Sequence, residues 1–468
     1  MDIKVKDILK ICNGELIVGN EEIICENFSK DTRTIQKNDV YVGIKGDNFD
    51  GNTLYEQAFE KGAKVCILQG IIASDEVKNK YNDRCIIVVD NTIKALQQIA
   101  SYKRSLYNIP VIAITGSVGK TSTKDIVASV VGTSYDVLKT EGNMNNHIGL
   151  PMTILKLKNH NALVVEMGMN NLGEISLLSK IAKPNIAIIT NVGTAHIGNL
   201  GSRENILKAK LEILDGLQED GTLIINNDND LLNGWLKNYN GKVKVRTYGI
   251  ENKSDITATN VELNESTSQF ELNVSGEEHA YNGKKINVPV GGKHFVYNAL
   301  CAISAGKILG IKIDNIKSGI EGFQLSKNRM EIYKAKSITI VNDCYNANFD
   351  SMKAAIESIT KMVGKRKIAI LGDMLELGEY SKDLHYNVGL ELAKNNIDIL
   401  ITVGNESENI ARAAIDSKMN PDNIYVFDKN EEAISFIKNI VTDDDVVLIK
   451  ASNGMKFIEI VNEIKKFI

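Results

Sequence analysis

Apolar residues recur along the chain in short runs, each bounded by glycine or polar residues and followed by a helical spacing. The run VIAIT at 111–115 leads through a glycine loop into a helix, and similar runs follow at ALVVE (162–166), IAIIT (186–190) and TLIIN (222–226). Brief apolar runs alternating with helices are the mark of a parallel sheet covered on both faces. From about 255 to 290 the pattern turns polar and alternating (DITATNVELNESTSQFELNV), which predicts an antiparallel excursion. The first hundred residues mix short strands, glycine-rich turns (YVGIKGDNFDGN) and a helical pattern (TLYEQAFEKGAK). Beyond 326, SITIVND, KIAIL, DILITV and DVVLIK alternate with helical segments, a second α/β system large enough to bury its own core. Three α/β domains are therefore expected, over 1–106, 107–325 and 326–468.

Composition narrows the class without naming it. Hydrophobic residues make up 43% of the 468 and charged residues 24%, ordinary for a soluble globular chain. A net charge of -4 lacks the basic excess of a nucleic-acid or membrane surface. The six cysteines are scattered, with no C-x-x-C pair, which fits a reducing cytoplasm better than a disulfide framework. No apolar stretch reaches 18 residues and the start, MDIKVKDILKICNG, has no signal-type run, so a cytoplasmic protein with no membrane insertion is expected.

Candidate chemistry begins where the first central strand ends. The loop TGSVGKTS is tighter than G-x-x-x-x-G-K-[ST], because the earlier glycine is Gly116 and position 114 is Ile114. Gly116 and Gly119 let the backbone approach a polyphosphate, whose charge then meets the N-terminus of the helix from Lys120 onward. Lys120 would sit on the β- and γ-phosphates and the Thr121 hydroxyl would ligate Mg²⁺. A plain glycine turn before an amphipathic helix is the alternative. Glu166 ends a buried strand at the carboxyl edge of the sheet, where ligands collect in open α/β sheets, and it is either a hard oxygen ligand or a solvated strand-end charge. His196 follows the next strand and so emerges at the same edge, as a ligand or as a hydrogen-bonded loop histidine. Lys210 falls among Ile206, Leu207, Ile213 and Leu214 on an amphipathic helix; taken alone it reads as a lysine that snorkels to the surface.

Taken together, TGSVGKTSTK, EGNMNNHIGLPMTIL, VVEMGMNNLGEI, TNVGTAHIGNLGS and AKLEI resemble the Mur ligase family. NDCYNANFDSMKAAI, LGDMLELGEYSKDLH and KASNGMKFIEIV extend the resemblance through the third block, and KDTR and GDNFDGN into the first. The resemblance implies a small N-terminal α/β domain that binds a UDP-linked acceptor, a central P-loop parallel-sheet ATPase domain and a C-terminal Rossmann-like α/β ligase domain. It also implies a reaction: ATP phosphorylates a peptide carboxylate to an acyl phosphate, an amine attacks, and an amide, ADP and phosphate result. The implied acceptor is UDP-MurNAc-tripeptide and the implied amine D-alanyl-D-alanine, giving the pentapeptide precursor of peptidoglycan. The enzyme is expected to act as a monomer with no nucleic-acid partner.

By the same resemblance, Gly116, Ser117, Val118, Gly119, Lys120, Thr121 and Ser122 hold the ATP phosphates. Thr121 and Glu166 lie near one Mg²⁺, and His196 and Lys210 hold a second, with Lys210 carbamylated. Asn298 contacts adenine, Arg329 reaches the γ-phosphate across the domain gap and Asp343 holds the ribose. Asn143 and Asn146 lie near the reacting carboxylate, and Asp31, Thr32 and Arg33 near the uridine end. Two positions depart from the family pattern: Phe349 stands where proline is usual, and Asn453 where arginine is common. Another ligase of the family, or folylpolyglutamate synthase, is a rival against which GDMLELG speaks. A nucleotide-gated regulator would have no use for Glu166, His196 and Lys210 together. If the loop is a phosphate cradle, Lys120→Ala should cut turnover at least about a hundredfold and leave the fold intact; near-normal turnover would show that the loop has another role.

Overall fold

The computed structural model describes residues 3–71, 74–276 and 281–467. Its central sheet runs, edge to edge, Lys285–Val288, Ser268–Val274, Ile256–Leu263, Lys244–Gly249, Thr222–Asn226, Ile186–Ile189, Val111–Thr115, Ala162–Glu166 and Val137–Lys139. Every pairing from Val137–Lys139 through Ile256–Leu263 is parallel, and the last two are antiparallel, as the alternating 255–290 segment predicts. Val111–Thr115 lies between Ala162–Glu166 and Ile186–Ile189, so the glycine loop, Glu166 and the 190–196 turn all leave the sheet at one edge. The strands read as unbroken apolar runs because helices cover both faces: Val111 to Ile114 are fully buried.

A five-stranded sheet carries the N-terminal domain and a six-stranded one the C-terminal domain. In the latter, Ile338–Asn342, Asp445–Lys450, Arg366–Gly372, Ile399–Val403 and Ile424–Phe427 are parallel neighbours, with Glu331–Ala335 antiparallel at the edge. Glu331–Ala335 and Ile424–Phe427 are too short and mixed in character to stand out by periodicity. Phe349 is the first residue of the helix Phe349–Ile359, capped by Asn348. That position has no intrahelical N–H to supply, so proline and phenylalanine are both accommodated there.

Helix Thr92–Ser105 ends the N-terminal segment yet packs against Gly149–Leu155 and Glu174–Ala182 of the central domain as well as Val5–Cys12. Buried Arg104 ties it down: Nε donates to Ala182 O (2.8 Å), Nη1 to Tyr107 O (2.6 Å) and Nη2 to Lys183 O (3.3 Å). Ala182 O and Lys183 O are orphan carbonyls at the end of helix Glu174–Ala182, which a cation satisfies well. Arg104→Ala takes this donor from the buried Ala182 carbonyl and should cost about 1–3 kcal/mol, read as a lower urea midpoint; an unchanged midpoint would show that the helix docks without this contact.

Candidate active site

The loop after Val111–Thr115 is shaped by what it must fit beneath. A Cβ on Gly116 would collide with Thr190 Oγ1, and Gly119 caps the helix Lys120–Val131 in the left-handed region at φ 80°. The loop does not hold its own conformation. Asn191 Oδ1 accepts from Ser117 N (3.1 Å) and Val118 N (2.9 Å), while its Nδ2 donates to Val118 O (3.0 Å). Thr190 Oγ1 donates to the same carbonyl at 2.7 Å, and Gly193 N donates to Ser117 Oγ at 2.9 Å. With the loop pinned from behind, the amides of Lys120, Thr121 and Ser122, which have no intrahelical acceptors, remain for an anion. Lys120 Nζ turns back onto Gly116 O (2.9 Å); burial lowers its pKa, Glu166 opposes that shift and Arg329 adds to it.

Glu166 is not a solvated strand end. It is 2% exposed, its Oε2 accepts from Thr121 Oγ1 (2.8 Å) and its Oε1 from Asn145 Nδ2 (2.8 Å). Arg329, carried in from the C-terminal domain, donates through Nη2 to Thr121 Oγ1 at 2.9 Å and stacks on Tyr345 at 4.0 Å. Its Nε is buried with no partner, a donor awaiting an acceptor in the cleft.

Lys210 lies on helix Arg203–Leu211 and is 1% exposed, so it does not snorkel. Burial pushes its ammonium well below the ordinary lysine range, and the charge of Lys120 pushes further in the same direction. His196 sits in the left-handed region at φ 64°, an uncommon conformation for a non-glycine residue. Its Nδ1 lies 2.8 Å from Glu376 Oε2 of the C-terminal domain, though the approach is off-line for a hydrogen bond. Among the described residues no three His, Cys, Asp or Glu side chains converge on one metal position. Thr121 and Glu166 still suit Mg²⁺, which takes one or two carboxylates and completes its shell with phosphate and water.

The cleft between the two domains has a volume of about 480 Å³. At its far end Asn298 Oδ1 accepts from Thr123 Oγ1 (3.0 Å), and its buried Nδ2 has no partner. Asp343 borders the cleft with Lys450 Nζ at 2.5 Å and Met330 N at 3.1 Å on its carboxylate. Asn143 and Asn146 line the cleft, but Asn146 Oδ1 also caps the helix Gly149–Leu155 through Gly149 N (2.8 Å). Asn453 lines it too, exposed. Asp31, Thr32 and Arg33 do not join this group. Arg33 grips Asp31 at 2.6 Å on the N-terminal domain and holds that carboxyl down to about 2, while Thr32 Oγ1 donates to Gln57 Oε1 (2.8 Å).

Known proteins resemble this chain in sequence and in fold. Residues 114–306 match the Mur ligase middle domain and residues 328–453 the Mur ligase glutamate ligase domain. The UDP-N-acetylmuramoyl-tripeptide–D-alanyl-D-alanine ligase of Bacillus subtilis is 38% identical over 98% of both chains. The chain belongs to the Mur ligase family. Its Escherichia coli relative of the same name is 30% identical over 100% of this chain and 99% of that one. Among Mur ligase structures, MurF from Acinetobacter baumannii superposes with a TM-score of 0.88 at 28% identity, covering 100% of this chain and 99% of that one. MurF from Thermotoga maritima, solved in complex with ADP, gives 0.81 at 26% identity over 94% and 97%. Members of the Mur ligase family are ATP-dependent ligases, and no described helix here is long and apolar enough to cross a membrane.

Two residues of this Mur ligase site escape a reading by motif. Asn145, between the two asparagines singled out in EGNMNN, is the one that reaches Glu166. Asn191 sits in TNVGTAH, where His196 attracts notice as the titratable group, yet it makes the bonds that shape the loop. Asparagine is the only uncharged short side chain with both donor and acceptor arms for a peptide edge. Asn191→Ala should therefore raise the Kd for ATP at least about tenfold, the worth of one or two lost hydrogen bonds; unchanged affinity in titration calorimetry would mean that the loop holds itself.

Proposed function

We propose that this chain joins D-alanyl-D-alanine to UDP-MurNAc-tripeptide at the expense of ATP, through an acyl phosphate, and so makes the UDP-MurNAc-pentapeptide precursor of peptidoglycan. The observation that carries the proposal is the meeting of two domains at the phosphate loop, with Arg329 on Thr121 and two unpaired donors, Arg329 Nε and Asn298 Nδ2, left in the cleft. Names of relatives that cover nearly the whole chain support the choice of substrates.

In this reading the residues Gly116 to Ser122 cradle the phosphates, Asn298 meets the adenine, Asp343 the ribose and Arg329 the γ-phosphate. Thr121 and Glu166 hold one Mg²⁺, and His196 and Lys210 a second. Mg²⁺, when bound, would spread the charge of the phosphate oxygens. Asn143 and Asn146 lie toward the reacting carboxylate, and Asp31, Thr32 and Arg33 on the N-terminal domain toward the uridine end. Positioning and charge neutralisation do most of the work, as in other phosphoryl transfers. Six unpaired thiols favour the cytoplasm as the setting, with the enzyme working as a monomer.

Lys210 would act as a carbamate. Burial beside Lys120 favours its neutral amine, which attacks CO₂, forms an N–C bond and releases one proton. The product is an anionic oxygen ligand where an ammonium would repel a cation.

With ATP, Mg²⁺ and UDP-MurNAc-tripeptide, phosphate release should depend on D-alanyl-D-alanine, and the product should gain the mass of the dipeptide less water. Phosphate released equally without the dipeptide would overturn the ligase reading in favour of a regulatory ATPase. Lys210→Ala and Lys210→Arg should both abolish ligation while still binding ATP, and isotopically labelled bicarbonate should give a carbamate resonance in the wild type alone. Full activity in Lys210→Arg would refute the carbamate.

A further inference from the structure

The turn after Ile186–Ile189 has two occupied sides. One side pins the phosphate loop through Thr190, Asn191 and Gly193. On the other, Asp350 of the C-terminal domain places Oδ2 against the same backbone, accepting from Thr194 N at 3.0 Å and Thr194 Oγ1 at 3.3 Å. The approach is close enough that a Cβ on Gly193 would overlap the Asp350 carboxylate. Two successive amides thus donate to opposite sides, Gly193 N to Ser117 Oγ and Thr194 N to Asp350. Arg203 steadies the same turn from beneath, donating to Val192 O (2.8 Å) while paired with Asp230.

We infer that Asp350 is a positioning residue that makes the phosphate loop's geometry depend on docking of the C-terminal domain. Asp350 does not line the cleft, and acts through Thr194 and Gly193 on Ser117. The contact joins two domains, so it exists only when they are docked. Its loss should therefore fall on the docked, reacting complex rather than on the capture of ATP by the central domain. Asp350 is also the second residue of helix Phe349–Ile359, where any acidic residue favours the helix dipole. That bland role and the proposed one predict opposite orders among conservative variants. Glutamate keeps the charge at the helix start, but its extra methylene cannot lie over Gly193. Asparagine gives up the charge and keeps an acceptor of the right length.

The inference rests on the ligase reading, so wild-type turnover with D-alanyl-D-alanine is the control in the same assay; an inactive wild type would sink that reading and not this one alone. Asp350→Ala and Asp350→Glu should lower kcat about tenfold with the Kd for ATP alone unchanged, and Asp350→Asn should keep most of the rate. In a double-mutant cycle, Asp350→Ala and Thr194→Val should be markedly non-additive in kcat. Asp350→Glu working as well as the wild type while Asp350→Asn fails would overturn the inference, and so would effects of Asp350→Ala and Thr194→Val that simply multiply.

Discussion

The site depends on one side chain gripping one turn of backbone. A loop with glycines at 116 and 119 has wide backbone freedom, and left alone it would scatter its amides. Asn191 removes that freedom by acting as a surrogate strand edge, accepting from two amides and donating to one carbonyl. The bonds come from the neighbouring parallel strand's exit, so the register between Val111–Thr115 and Ile186–Ile189 sets where the loop stands. The free N-terminal amides of Lys120–Val131 are then aimed before any ligand arrives, which is the economy of a pre-organised phosphate site.

Around that fixed point the charges are unbalanced. Lys120 feels Glu166 against it and Arg329 beside it, Arg329 and Glu166 meet on Thr121, the charge of Lys120 reaches Lys210, and both lysines are held below their ordinary range. A polyphosphate would relieve the strain at Lys120 and Arg329. Lys210, behind them and fully buried, is relieved only by losing its charge. The opposite wall answers with Glu376 near His196, and with Tyr380 donating to Gly201 O at 2.5 Å. A Cβ on Gly198 would run into the backbone of Leu377 and Gly378, so that side of the contact cannot carry more bulk without a shift of the facing backbone.

Much of this was legible in the order of residues. Apolar runs bounded by glycine named the parallel strands, because a strand buried on both faces has no polar register to confuse it. The antiparallel excursion announced itself by alternation. Glu166 and Lys210 stood out as charges in apolar settings, and both are buried. What escaped was geometry between segments. Nothing local distinguishes Asn145 from Asn143 and Asn146, since only the fold decides which of them faces Glu166. Nothing in their own sequence neighbourhood marks Asn191 or Asp350; their importance comes from what lies across the turn. Asp31 to Arg33 occupy a separate domain, so no periodicity could place them relative to the cleft.

The chemistry has one signature that no binding protein or simple ATPase shares. If the tripeptide carboxylate attacks the γ-phosphate, one of its oxygens must leave with the phosphate when the amine displaces it. Turning over acceptor labelled with heavy oxygen in that carboxylate should transfer one labelled oxygen to each phosphate released, in step with amide formation. Amide formed while the phosphate stays free of label, the displaced oxygen going to water instead, would contradict acyl-phosphate ligation at this cleft.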